Sequence, residues 1–165
     1  MKEIKLTIDG KEVQLTNEQL RVLGIIERED RPFERAYYGC RYYCVSSFGD
    51  VDSYCDNRSE GDRKFFEAVN YFSTQPFAKQ VALHQLLYRK LLKFAYENEV
   101  EDTAEWDEIN PHWSIEYDTR CNAFTSDWHK IYKMRDVYFS SEEGANRAIK
   151  EVVEPFVKEH PEFVW

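Results

Sequence analysis

The side chains able to do chemistry are few and widely spaced. The cysteines are Cys40, Cys44, Cys55 and Cys121, and no two form a C-x-x-C pair, so the spacing indicates neither a zinc ribbon nor a thioredoxin-type motif. Cys40 and Cys44 fall on one face of an expected strand, about 13 Å apart at the usual rise per residue. Reduced, buried thiols are the expectation. His84 lies among apolar residues, as a core or boundary histidine does, whereas His112 and His129 are candidates for acid–base work and could pair across a hairpin. Asp50 and Asp52, two apart on an expected strand, share a face but lack the rest of a calcium-loop spacing. No G-x-S-x-G, H-E-x-x-H, phosphate-loop or dinucleotide fingerprint occurs. These patterns point away from an enzyme, and no cofactor or metal is expected.

Acidic side chains form the stronger pattern. The 165 residues hold 31 Asp and Glu against 22 Lys and Arg, a formal net charge of −9. Between Phe94 and Thr119 there is no Lys or Arg, and nine acids stand there: Glu97, Glu99, Glu101, Asp102, Glu105, Asp107, Glu108, Glu116 and Asp118. Those nine equal the whole excess, so the chain is a neutral protein carrying one acidic segment. A run of this kind is either a solvated linker or a surface for a basic groove. Trp106 and Trp113 favour the surface, because aromatics flanked by acids make good interface anchors. The same charge argues against direct nucleic-acid binding. The candidate partner-binding set is therefore Glu97, Glu99, Glu101, Asp102, Glu105, Trp106, Asp107, Glu108 and Trp113, with Asp50 and Asp52 as a weaker second cluster.

The elements that must position these residues are α+β. Ile4, Leu6 and Ile8 alternate with polar residues up to Asp9-Gly10, and Val13 and Leu15 resume the alternation, which predicts a β-hairpin over 3–15. Thr16 and Gln19 head a helix, so residues 1–30 read as a hairpin-helix module. Residues 33–98 read as a β-meander with strands at 41–47, 51–55 and 64–72, followed by a long helix capped by Ser73 or Thr74. Residues 99–111 read as an acidic linker. Residues 112–165 read as a second meander, with strands at 112–117 and 128–134, and a helix opened by a Ser140–Glu143 capping box that Pro155 should kink or end. Antiparallel sheets with helices on one face are expected. Val69 to Thr74 and Asp136 to Ser141 align through Tyr-Phe-Ser, which suggests a diverged duplication. Five tyrosines, Tyr37, Tyr38, Tyr42, Tyr43 and Tyr54, crowd the first meander and suit core and interface roles.

No apolar run is long enough for a membrane span, and Met1-Lys2-Glu3-Ile4-Lys5 lacks the features of a signal peptide. The opening Lys5-Leu6-Thr7-Ile8-Asp9-Gly10, the Pro32-Phe33-Glu34-Arg35 stretch, Asn70-Tyr71-Phe72 and Val137-Tyr138-Phe139-Ser140-Ser141 resemble small acidic proteins of phages and prophages, similar in character to anti-CRISPR inhibitors. The resemblance implies a cytoplasmic protein of a bacterial host cell. It would bind and inhibit a basic, nucleic-acid-binding host defence protein, most plausibly a Cas nuclease. The alternatives are a phage interaction module unrelated to defence and, less favoured, a small metal-dependent enzyme.

Overall fold

A computed structural model describes residues 6–8, 11–13, 16, 20, 31–134 and 136–165. The chain is α+β, with three separate two-stranded antiparallel sheets among the described residues. Strand β1 (Leu6–Ile8) pairs with β2 (Lys11–Val13), Ile8 opposite Lys11, in the register expected from the Asp9-Gly10 sequence. Of the helix expected after it, Leu20 is helical and its N–H donates to the Thr16 carbonyl; the rest lies outside the described residues.

Strands β3 (Arg41–Val45) and β4 (Val51–Cys55) form the second hairpin, closed by the turn at Phe48-Gly49-Asp50. Gly49 takes a φ of 93°, a conformation glycine adopts without steric cost. The first part of the expected strand at 64–72 is instead the end of a helix, α1 (Glu60–Glu67), and the chain turns at 68–69. Ser59 caps it, and Asp62 returns the bond to the Ser59 N–H, so a capping box with Asp as its acid starts a helix where the aromatics suggested a strand. Only Phe72 keeps a strand-like role, exchanging both backbone hydrogen bonds with Tyr43. Asn70 imitates the next rung: its side-chain amide accepts from the Val45 N–H and donates to the Val45 carbonyl, each at 2.8 Å.

Helix α2 (Gln75–Glu97) has Thr74 at its N-cap and Pro76 in its first turn, where a missing N–H costs nothing. It spans two cores. Ala78 and Ala82 pack with Val45 and Phe72, while Leu83, Leu87, Leu91 and Phe94 join Phe139, Ile149, Val153 and Phe156.

The third hairpin pairs β5 (His112–Asp118) with β6 (Ala123–His129), five residues earlier than the strand expected at 128–134. Asn122, at φ 57°, supplies the left-handed residue of the turn, a role that Asn tolerates and that sequence reading assigns more readily to glycine. Phe139 then exchanges backbone bonds with Trp113, as Phe72 does with Tyr43. Two residues beyond each phenylalanine lies a helix N-cap, Thr74 in one case and Ser141 in the other. The cap is thus Ser141, not Ser140: its hydroxyl accepts from the Gly144 N–H, while the Ser140 N–H donates to Val100.

Pro155 does not end the last helix. Helix α3 (Glu142–Ala148) passes through a π-helical stretch, Ile149–Val153, into α4 (Glu154–Glu159). The wider turn lies just where the proline ring would press on a preceding carbonyl. Beyond it the chain folds back on α2. Gln80 donates to the Glu162 carbonyl and accepts from the Val164 N–H, and Phe163 is buried in the main core.

Candidate functional site

The acidic segment is bound along the third hairpin. It begins where α2 ends in a Schellman motif, with Val100 N–H donating to Ala95 and Glu99 N–H to Tyr96. Glu99 sits at the left-handed position, φ 55°. Val100 then packs beside Gly144, where an added Cβ would approach the Val100 Cβ to 3.0 Å. Glu101 forms an antiparallel bridge with Phe139, and the Asp102 N–H donates to Tyr138. The segment that reads as an acidic linker is therefore a strap over β5 and the 136–139 stretch.

Asp102 and His112 lock it. His112 is fully buried, and its Nδ1 lies 2.5 Å from an Asp102 oxygen that belongs to a side chain only 5% exposed. Trp106 stacks on the imidazole, ring centroids 3.7 Å apart and planes 6° from parallel, and meets Tyr138 nearly at right angles. Farther along, Asp107 accepts from the Ile109 and Asn110 N–H groups and the Asn110 amide. The Asn110 N–H is the first of the contacts that hold its carboxyl below the usual range. At the other end of β5, Arg120 clamps Asp118 and lowers its pKa to about 2.

The nine acids thus divide. Asp102 is tied to His112, Glu116 lies 3.3 Å from His129, Asp118 pairs with Arg120, and Glu101 is half-buried. Glu97, Glu99, Glu105, Asp107 and Glu108 remain exposed. Of the tryptophans, Trp106 is half-buried against His112, and Trp113 packs against the main core. Asp50 and Asp52 stand apart, lining a recess beside β3 and β4 together with Arg89. His112 and His129 do face each other in register across the third hairpin, but each imidazole meets its own carboxylate.

A nucleophilic site does not assemble around the dyad. Ser114, two residues along β5, is fully buried, yet its Oγ and the His112 Nε2 have no hydrogen-bond partner among the described residues, so they are not bonded to each other. An activated serine requires that bond. Among the described residues, no three His, Cys, Asp or Glu side chains are disposed to hold a metal. Cys44 is buried, and burial pushes its thiol up; Cys40, Cys55 and Cys121 are exposed and free. His84, expected among apolar groups, is exposed at the edge of the core, its ring 4.8 Å from Phe163.

Sequence reading had isolated Asp102, Trp106 and His112 singly without joining them. The available signal was that a histidine on a buried strand face needs a partner, and the residues just upstream are all acids or neutral. Tyr138 and the neighbouring Lys133, whose ammonium stands over the Trp106 ring at 5.6 Å, were missed altogether.

A different carboxylate pair organises the second hairpin. Asp56 is fully buried and accepts from Arg35, the Tyr71 hydroxyl and the Arg58 N–H. Burial raises its pKa, but these donors outweigh it and leave the carboxyl below its ordinary value. Asp62 is likewise raised by burial and lowered further by Ser59, Tyr42 and Asn57. The two tyrosines stack at 4.0 Å. Every carboxylate oxygen in this network is satisfied, as a structural network requires.

The chain matches no protein-family model, no curated protein and no solved structure.

Proposed function

We propose that the chain is a non-enzymatic binding protein whose acidic strap docks on the basic, nucleic-acid-binding surface of a host defence protein in the bacterial cytoplasm, with a Cas nuclease as the leading target. One observation supports this above the others. The strap is pinned by Glu101, Asp102 and Trp106, so its exposed acids stand on a fixed frame rather than a loose chain. A fixed array loses less conformational entropy on docking and presents its charges in one geometry. Beside it, the contact of Lys133 with Trp106 brings the 131–134 stretch to the strap, with Ile131, Tyr132 and Met134 exposed. That supplies the apolar part of an interface whose rim is acidic.

The test uses a guide-loaded Cas nuclease and fluorescent target DNA, with displacement followed by polarisation as this protein is added. Displacement is expected at low salt and should weaken as salt rises, because exposed charges are screened. Reversing Glu97, Glu99, Glu105 and Glu108 to Lys replaces four attractions by four repulsions, and should reduce displacement at least about 100-fold. The thermal melt should stay unchanged, since none of the four holds the strap down. A reversed protein that displaces DNA as well as the parent overturns the reading.

A further inference from the structure

Between the strap and α2 lies a cavity of about 310 Å³ whose lining combines aromatic and acidic side chains. Trp106 and Tyr138 form a right-angled corner, with ring planes 80° apart and centroids 5.0 Å apart. Tyr96 lines the same cavity from α2, and Glu101, Asp102 and Asp136 also line it. The Glu101 Oε2 is buried, yet it accepts no hydrogen bond among the described residues. A buried carboxylate oxygen without a donor is costly, and a donor entering the cavity would relieve it. One cation already reaches the lining: Lys133, from an exposed position, holds its ammonium over the Trp106 ring.

Aromatic walls set at right angles beside a carboxylate suit one ligand chemistry, an alkylammonium group, which gains from the ring faces and from the anion together. We propose that this cavity receives a lysine side chain of the basic partner, and that Lys133 covers its aromatic wall as an internal competitor in the free protein. The proposal deepens the docking reading above: the exposed acids steer the partner, and the cavity anchors one of its lysines. The surface that steers and the pocket that anchors are different residues, so the two are separable.

The probe is Nα-acetyl-lysine methylamide, titrated into the full chain while the Trp106 indole resonance is followed by NMR; the Nε-acetylated compound, of similar shape and no charge, is the control. Saturable binding of the amine alone is expected. Glu101→Gln keeps the shape, removes the charge and should weaken binding about 5-fold or more. Lys133→Gln removes the competitor and should tighten it by roughly 3- to 10-fold, within the range of one cation–π contact. A lesion that merely loosened the strap would weaken binding in both variants, so the opposite signs are diagnostic. Equal binding of the acetylated control, or a Lys133→Gln variant no tighter than the parent, overturns the proposal. Spermidine binding without response to the lysine probe also overturns it, and would mark a free-polyamine site. If the amine fails to bind while charge reversal still abolishes DNA displacement, the cavity reading falls and the docking reading stands.

Discussion

Removing the Asp102 carboxylate should release the strap before it unfolds the protein. In Asp102→Ala the buried His112 loses the one hydrogen bond its ring makes among the described residues. A buried, charge-assisted hydrogen bond is worth about 1.5–3 kcal/mol, and the variant leaves its partner unsatisfied in the interior. Because the strap is a peripheral layer over β5, most of that loss should appear as easier local opening. At about 1.4 kcal/mol per factor of ten, the open population rises roughly 10- to 100-fold. Hydrogen exchange measures this at two specific amides, Asp102 N–H, bonded to Tyr138, and Ser140 N–H, bonded to Val100. Both should exchange faster by that factor, while amides in the middle of α2 change less. Trp106→Leu should have a related effect through loss of the stack, and the two substitutions should be less than additive, since both act on His112. If exchange at 102 and 140 is unaltered in Asp102→Ala, or accelerates no more than exchange in the middle of α2, the dyad is not what holds the strap.

Two further predictions concern the second hairpin and the helix that follows it. Val69 occupies the left-handed end of α1 at φ 55°, a position that costs a β-branched residue energy and is 62% exposed, so Val69→Gly should stabilise the protein by about 1 kcal/mol. A higher urea midpoint at unchanged slope confirms it, and a lower midpoint refutes the strain argument. Asp56 and Asp62 have folded pKa values below their ordinary ones, so their contribution is fully present above the usual carboxylate pKa near 4 and is lost as the pH falls through the lowered values. The near-ultraviolet signal of the stacked Tyr42 and Tyr71 should collapse in that acid window, and Asp56→Asn with Asp62→Asn should flatten the dependence; an unchanged acid transition in the double variant refutes the assignment.

How far the sequence discloses this fold depends on whether each element announces itself locally. Helix α2 does, through a wide apolar stripe and a proline in its first turn, and β3–β4 does through its glycine turn. Helix α1 hides because Phe65, Phe66, Tyr71 and Phe72 look like a strand and because its end carries Val69 where glycine is expected. The tertiary pull of Asp62 on Tyr42 and Asn57 decides in favour of helix, and that pull spans up to 20 residues of sequence. Strand β6 is displaced for a related reason: Asn122 makes the turn without a glycine to flag it, and Thr125, Ser126 and Asp127 dilute the alternation. The acids of the strap are legible as a cluster, but their division into bound and exposed members is not. It depends on which of them meets His112, a matter of register between a loop and a strand that composition does not encode.

That division bears on the functional argument. Were the acidic segment a simple solvated chain, reversing any four of its charges would be equivalent, and loss of binding would report only net charge. Here Asp102 is held by His112 and Asp107 closes a turn on Asn110, so reversing either would damage the strap itself. Among the described residues Glu97 pairs with Lys93, at 3.5 Å on the exposed face of α2, while Glu99, Glu105 and Glu108 are exposed. The four acids chosen for reversal can therefore change sign while the frame persists, and Asp102→Ala can loosen the frame while those four charges persist. A partner that reads charge alone will respond to the first change and ignore the second. A partner that reads a fixed acidic surface must respond to both, and that pair of responses is what the strap geometry requires.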